Sequence, residues 1–247
     1  MTDLIITKEN NGIFTIILNR LDKKNALNND MYQQLCQHLD YAKTNKHIHC
    51  ILIHGDENCF CAGNDLQDFL ESPENGDSLA AFDFVKALSQ FNKPIVAAVA
   101  GAAVGIGTTL LLHCDMVIAA DNAKFKLPFS QLGLCPEAGS SLLLTRLVGQ
   151  NRAFELMVLG NTFSAEQAHQ YGIVNQVCLP SELISLGEKV AHTISNLPND
   201  AVMTSRRLIR QASQTHLSQV IEDEGNQFAR LIKTPECKTI LGQFFKS

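Results

Sequence analysis

Gly101-Ala-Ala-Val-Gly-Ile-Gly-Thr-Thr-Leu-Leu-Leu-His-Cys-Asp115 is the stretch on which the reading of this chain turns. The residues before it, Pro94-Ile-Val-Ala-Ala-Val-Ala100, are apolar throughout and read as a fully buried strand. Glycines follow at 101, 105 and 107, and then Thr108–Leu112, a helix with almost nothing polar in it. A helix that apolar belongs inside the protein. Its first turn leaves backbone N–H groups without intrahelical partners, at the positive end of the helix dipole. Small residues beside those groups let a ligand atom approach closely. The stretch therefore suggests a buried docking point for an oxygen that carries or develops negative charge. A strand–turn–helix that needs glycine only for packing accounts for the same residues equally well. Two familiar phosphate motifs are excluded. Leu110 stands where the last glycine of G-x-G-x-x-G belongs, and no Gly-Lys-Ser/Thr follows.

With 247 residues the chain is one large domain, or one domain with an appendage. A net charge of −5 argues against nucleic acid as a partner, and no apolar run is long enough to span a bilayer. The N-terminal residues lack the basic-then-apolar pattern of a secretion signal, and Gln243-Phe-Phe-Lys-Ser247 is neither a prenylation box nor Ser-Lys-Leu. A cytoplasmic protein is expected. Its eight cysteines include no C-x-x-C pair and read as reduced core residues. His47-x-His49-Cys50 has no second ligand pair, so no metal is expected there.

Along the chain, Leu4–Thr7 and Ile13–Leu18 read as strands around an Asn-Asn-Gly turn. A loop with basic Arg20, Lys23 and Lys24 follows, and then a helix capped by Asn29 or Asp30 and running to about Lys43. Cys50–His54 is a buried strand, and Cys59–Leu66 a turn into a short helix. Glu71–Asp77 is a polar loop, with Ser78 able to cap the next helix. Further strands are read at Met116–Ala120, Lys124–Leu127 and Ile173–Cys178. Helices are read at Gly139–Leu147 and Arg152–Leu159, and Ser164-Ala-Glu-Gln167 is a capping box. From Ser181 on, everything reads as helix punctuated by Pro198, Gly225 and Pro235. Alternation first and helices later make an α/β core with a helical C-terminal part.

Three segments belong together: Cys59–Leu66, Gly101–Asp115 and Pro128–Ser141. With Asn25-Ala-Leu27, Lys93-Pro94 and Leu159-Gly-Asn-Thr-Phe-Ser-Ala165 in the same order, the chain resembles the crotonase (enoyl-CoA hydratase/isomerase) superfamily over nearly its whole length. The resemblance implies a crotonase-type spiral of ββα units over 1–194, holding the CoA and active sites, and a helical oligomerisation region over 195–247. It implies an acyl-CoA thioester as ligand, no cofactor beyond the substrate's CoA moiety, and a homotrimer or dimer of trimers. By position in the motifs, the backbone N–H groups of Asn64 and Ile106 form an oxyanion hole. Lys23, Lys24, Ala26, Ala62, Asp65 and Leu66 fall where relatives hold CoA, with Arg20 in the same basic loop. A solvated charge run and a helix-capping Asp65 are the plainer readings of those residues.

The same resemblance bears on the reaction. Hydratases of the superfamily hold a water between two glutamates, and the corresponding places here are Thr109 and Phe129. Those two residues cannot supply an acid/base pair. Pro128-Phe-Ser130 followed by Gly133-Leu-Cys-Pro-Glu-Ala-Gly-Ser-Ser141 is similar instead to Δ3,Δ2-enoyl-CoA isomerases of the peroxisomal type, which makes Glu137 the base. Ala138 stands where glycine is usual. Thr109, Phe129 and Leu134 are then expected in the acyl pocket, which the loop from Glu71 to Leu79 and the helix after it are expected to shape. The apolar setting is expected to raise the pKa of Glu137. Taken alone, Glu137 reads more simply as a helix-start carboxylate favoured by the dipole. A weak hydratase, an isomerase of a ring-derived acyl-CoA, and a non-catalytic acyl-CoA binder remain rivals. Arg206, Arg207 and Arg210 read as a solvated basic face, and Phe228, Phe244 and Phe245 as apolar anchors.

Overall fold

The computed structural model describes residues 3–67 and 80–244. The polar loop at Glu71–Asp77, the cap at Ser78, the pocket-shaping segment up to Leu79, and Phe245 lie outside them. The chain opens with a hairpin of β1 (Ile5–Asn10) and β2 (Ile13–Leu18). Asn11 and Gly12 turn it with φ of 50° and 78°, matching the twist of the flanking strands. Three strand pairs follow, and each sends its first strand to one sheet and its second to another. They are β3 (Cys50–His54) with β4 (Cys59–Cys61), β5 (Ile95–Val99) with β6 (Ala102–Val104), and β7 (Met116–Ala120) with β8 (Lys124–Lys126). The larger sheet has the order β1-β2-β3-β5-β7-β10, where β10 is Gln176–Cys178. The smaller is β4-β6-β8-β9, where β9 is Phe163–Ser164. All neighbours are parallel except β1/β2 and β8/β9.

Helices close each turn of this spiral: α1 (Asn29–Thr44), α2 (Ala80–Ser89) and α3 (Ile106–Thr109), the last continued by a 3-10 turn over Leu110–His113. Then come α4 (Ser140–Val148), α5 (Gln150–Phe154), α6 (Ala165–Gln170), α7 (Leu183–Ser195), α8 (Asn199–Leu231) and α9 (Pro235–Phe244). The continuous apolar run of β5 is explained by burial on both faces. Ile95, Ala97 and Val99 face the main core, while Val96 and Ala98 pack with Leu183 and Ala191 of α7.

Several boundaries differ from the sequence reading, each for a local reason. The cap of α1 is Asn28, whose side chain accepts the N–H of Met31 at 3.0 Å. The helix read at Thr108–Leu112 starts at Ile106 and tightens into the 3-10 turn. The helix read at Arg152–Leu159 is α5 followed by a wider, π-type turn over Glu155–Leu159. The strand read from Ile173 starts at Gln176, because the N–H groups of Ile173 and Val174 return to Ala168 at the end of α6. The capping box at Ser164 and Gln167 forms as read. Gly225 does not interrupt α8, which runs unbroken for 33 residues. The cost of one helical glycine is about 1 kcal/mol. Burial of Leu217, Ile221, Glu224 and Phe228 at helical spacing offsets it.

The arginines of α8 are the largest correction. Arg206 and Arg210 are not a solvated face. The Arg206 Nε donates to Asp115 at 2.8 Å and its Nη1 to the carbonyl of Phe91 at 2.8 Å. Arg210 Nη2 lies 2.9 Å from the other Asp115 oxygen and donates to the His113 carbonyl at 2.5 Å. Asp115 also accepts the N–H of Ile95 at 2.9 Å. One carboxylate thus fastens α8 to the start of β5 and the end of the glycine-rich stretch. Asp115→Ala leaves the buried Arg206 guanidinium without its counter-charge. We expect a loss of about 3–5 kcal/mol in urea unfolding, against a small effect for the exposed Arg207→Ala.

Candidate active site

The site forms where β4 and β6 end side by side. Cys59 and Cys61 pair with Ala102 and Ala103, and the two chains then diverge into Gly63-Asn64 and Gly105-Ile106. Beyond β4, the chain pairs with the loop before α1. Leu27 donates to the Gly63 carbonyl at 2.8 Å and accepts the N–H of Asp65 at 2.8 Å. In an extended chain alternate groups point opposite ways, so the N–H of Asn64 faces away from Leu27. Beyond β6, Gly105 accepts the N–H groups of Thr108 and Thr109 at 2.8 and 2.9 Å, which leaves Ile106 first in its helix. Among the described residues, neither the Asn64 nor the Ile106 N–H meets an acceptor. Two glycines make this approach possible, for different reasons. Gly105 has φ 53° and ψ −119°, a conformation for glycine alone, although a side chain there would meet nothing within 4 Å. A Cβ on Gly107 would lie 2.4 Å from the Cys61 carbonyl oxygen.

One turn into the same stretch, Thr109 is fully buried, and its hydroxyl donates to Glu137 Oε1 at 2.5 Å. The segment that carries Glu137 passes through two left-handed residues, Ala138 (φ 59°) and Gly139 (φ 70°), before α4 begins. Glu137 is buried with its carboxyl against Thr109 and does not act as the side-chain cap of α4. Burial pushes its pKa up to about 8; the Thr109 hydroxyl pulls it down, and the charge of Glu224 raises it further. Such a group takes up a proton near neutral pH, as a general base must.

The structure therefore gathers Asn64, Ile106, Thr109 and Glu137, four of the residues singled out from the sequence. Phe129 is buried in the main core, and Leu134 packs with Phe228, Cys237 and Leu241 of the C-terminal helices. Around the basic loop, Lys23 and Lys24 are exposed, and Ala26, Ala62, Asp65 and Leu66 are half-buried beside them. Arg20 is committed to the protein. Its Nη1 donates to the Ala26 carbonyl at 2.9 Å and to Asp65 at 2.7 Å. Asp65 also accepts the N–H of Gln67 at 3.1 Å, so it both caps and pairs. Asn25 ties the loop down, accepting the N–H of Arg20 at 2.7 Å and donating to the Phe60 carbonyl at 3.0 Å.

Three residues of the site were not read from the sequence. Tyr32 is buried and donates its hydroxyl to the Asn64 side chain, and burial with nearby Glu137 raises its pKa well above the usual phenol value. His113 Nε2 lies 2.7 Å from the Ala138 carbonyl, so this nitrogen carries the proton. Burial lowers the His113 pKa to about 4 and keeps the ring neutral. Glu224 reaches in from α8 to accept the N–H groups of Gly139 and Ser141 at 2.6 and 2.9 Å. Its position in the 217/221/224/228 periodicity was the available signal. Elsewhere, His49 Nδ1 lies 3.3 Å from the Ser195 carbonyl, and no group of three or more metal-ligating side chains occurs among the described residues.

Comparison with known proteins identifies the family. A family model described as enoyl-CoA hydratase/isomerase matches residues 8–246. The chain is 36% identical to 1,2-epoxyphenylacetyl-CoA isomerase of Escherichia coli (strain K12), covering 91% of this chain and 88% of that protein. It is 33% identical to enoyl-CoA delta isomerase 2 of Rattus norvegicus over 98% of this chain and 63% of that longer one. The structure of Pseudomonas aeruginosa OdaA superposes with a TM-score of 0.96 at 40% identity over the whole of both chains. The chain belongs to the enoyl-CoA hydratase/isomerase family, the crotonase superfamily, and an acyl-CoA thioester as substrate is consistent with that membership.

The role of these two N–H groups is testable without touching a side chain. Gly105→Ala has room for its methyl group but not the backbone angles, so it re-aims the Ile106 N–H. Thioester turnover is expected to fall by about 10²–10³-fold with a near-native circular dichroism spectrum.

Proposed function

We propose that the chain isomerises a 3-enoyl-CoA to the conjugated 2-enoyl-CoA. Glu137 removes a proton from C2, and the electron pair moves into the thioester carbonyl. The resulting dienolate oxygen is held by the N–H groups of Asn64 and Ile106. The carboxyl of Glu137 then returns its proton to C4; the thioester carbonyl re-forms, the C2–C3 double bond forms, and the C3–C4 double bond becomes single. One carboxyl group and two N–H donors balance every proton and electron. Lys23 and Lys24 meet the CoA phosphates, with Ala26, Ala62, Asp65 and Leu66 forming the wall for the rest of the cofactor moiety. Phe129 and Leu134 bound the acyl chain, and Thr109 steadies the base.

The observation that carries this reading is the buried carboxyl group of Glu137, held by Thr109 at 2.5 Å and poised near neutral pH, while the other buried carboxylate beside it, Glu224, is committed to backbone N–H groups. Hydration asks for a second acid/base group, and Thr109 and Phe129 stand at the two glutamate places of the hydratases. Likeness to 1,2-epoxyphenylacetyl-CoA isomerase supports a second reading, a ring-derived acyl-CoA as substrate for the same groups.

The test compares 3-hexenoyl-CoA with 2-hexenoyl-CoA. Conjugation of the first is expected, with little hydration of the second, and Glu137→Gln should lower the isomerisation rate by at least about 10²-fold while CoA binding persists. Brisk hydration of the second substrate contradicts the proposal. The ionised form of Glu137 is the productive one and its pKa is raised to about 8. Wild-type kcat/KM should therefore fall as pH drops below that value and level off above it.

A further inference from the structure

A carboxylate beside the start of a helix ordinarily serves that helix, because the first N–H groups need acceptors. The start of α4 breaks this habit. Gly139 provides no side-chain cap, and Glu137, two residues earlier, turns its carboxyl toward Thr109 instead. The acceptor comes from elsewhere in the chain. Glu224 Oε2 takes the Gly139 N–H at 2.6 Å, and its Oε1 takes the Ser141 N–H at 2.9 Å. Both oxygens accept, which is how a carboxylate binds, and the residue is only 9% exposed. The same face of α8 covers the left-handed turn: a Cβ on Gly139 would lie 2.4 Å from Leu217 Cδ1 and 3.3 Å from Ile221 Cγ1. From the other side, His113 holds the Ala138 carbonyl at 2.7 Å.

We infer that Glu224 is a positioning residue for the base: by capping α4 from α8, it fixes the turn that aims the Glu137 carboxyl at Thr109 and the reacting carbon. The inference rests on the reading of Glu137 as the base. It makes the C-terminal helical region part of the active site. The cap matters because it frees Glu137 from helix duty, and among the described residues the Thr109 hydroxyl is then the one hydrogen-bond partner of its carboxyl group. A misplacement of about 1 Å at such a group costs about 10²-fold in rate. The Glu224 charge has a second consequence. The groups that face Glu137 are the Thr109 hydroxyl after β6, the Tyr32 hydroxyl of α1, the Cys61 thiol of β4, the Cys135 thiol on its own segment, and Glu224 of α8. Glu224 is the one whose charge pushes the Glu137 carboxyl up, adding to burial.

The experiment measures kcat and KM on 3-hexenoyl-CoA across pH for wild type, Glu224→Gln, Glu224→Asp and Glu137→Gln, with circular dichroism to report the folded fraction. Glu224→Gln removes the charge and one acceptor. Its kcat is expected to fall by about 10–10²-fold with KM nearly unchanged, and the acid limb of its profile to move to lower pH. Glu224→Asp keeps the charge and loses the reach, so its kcat falls while the acid limb stays in place. Aspartate also answers the question if the glutamine variant fails to fold. Wild-type kcat in the folded variants, or losses that only track the folded fraction with unmoved acid limbs, overturns the inference while leaving the base in place. Full activity of Glu137→Gln overturns the base and the inference together.

Discussion

A carboxyl group taken out of water must either find hydrogen bonds or hold its proton, and the interior of this protein is arranged around one such group. Desolvation of a charged carboxylate costs several kcal/mol. Glu137 meets this cost partly through the Thr109 hydroxyl and partly through a raised pKa. Its backbone is held as firmly as its side chain. Two consecutive left-handed residues, a neutral histidine on one carbonyl and a distant carboxylate on two N–H groups define a single path for the segment. Ala138 is the costly member, since a left-handed alanine is disfavoured by about 1–2 kcal/mol relative to the right-handed form. That cost persists because the neighbours over-determine the turn.

The fold makes the complementary feature almost automatically. Each turn of the spiral ends a strand of the small sheet at the same level, so adjacent parallel strands deliver their last N–H groups to one place. Asn64 and Ile106 lie just beyond β4 and β6, and the helix dipole of α3 adds to the second. Closeness is bought by glycine at 105 and 107, once for backbone angle and once for space. Tyr32 then steadies Asn64 through its side chain. The two N–H groups and the buried carboxyl group therefore come from different layers of the fold, and both are anchored by groups remote in sequence.

What was legible in the sequence follows from this arrangement. Apolar runs and turn residues announced β2, β3, β5 and the capping box of α6, because those elements depend on local pattern. Cys59–Leu66, the glycine-rich stretch and Pro128–Ser141 pointed to Asn64, Ile106 and Glu137 respectively, because resemblance carries motif positions across a family. Local pattern could not say where an acid or an arginine on α8 would go. Arg206 looked like a surface charge until its Asp115 partner, 91 residues away, was in place. Glu224 sits in a run of three acids, and only helical periodicity separates it from Glu222 and Asp223. His113 was hidden in an apolar stretch, and the bond of its ring to Ala138 belongs to tertiary structure.

The account turns on the protonation of one buried carboxyl group, and infrared difference spectroscopy between wild type and Glu137→Gln reads it directly. Following the carbonyl stretch of the protonated carboxyl across pH, the account predicts a band that persists at neutral pH and disappears as the pH passes about 8. A band already lost by about pH 5, as for a solvated glutamate with its pKa of about 4.3, would contradict it.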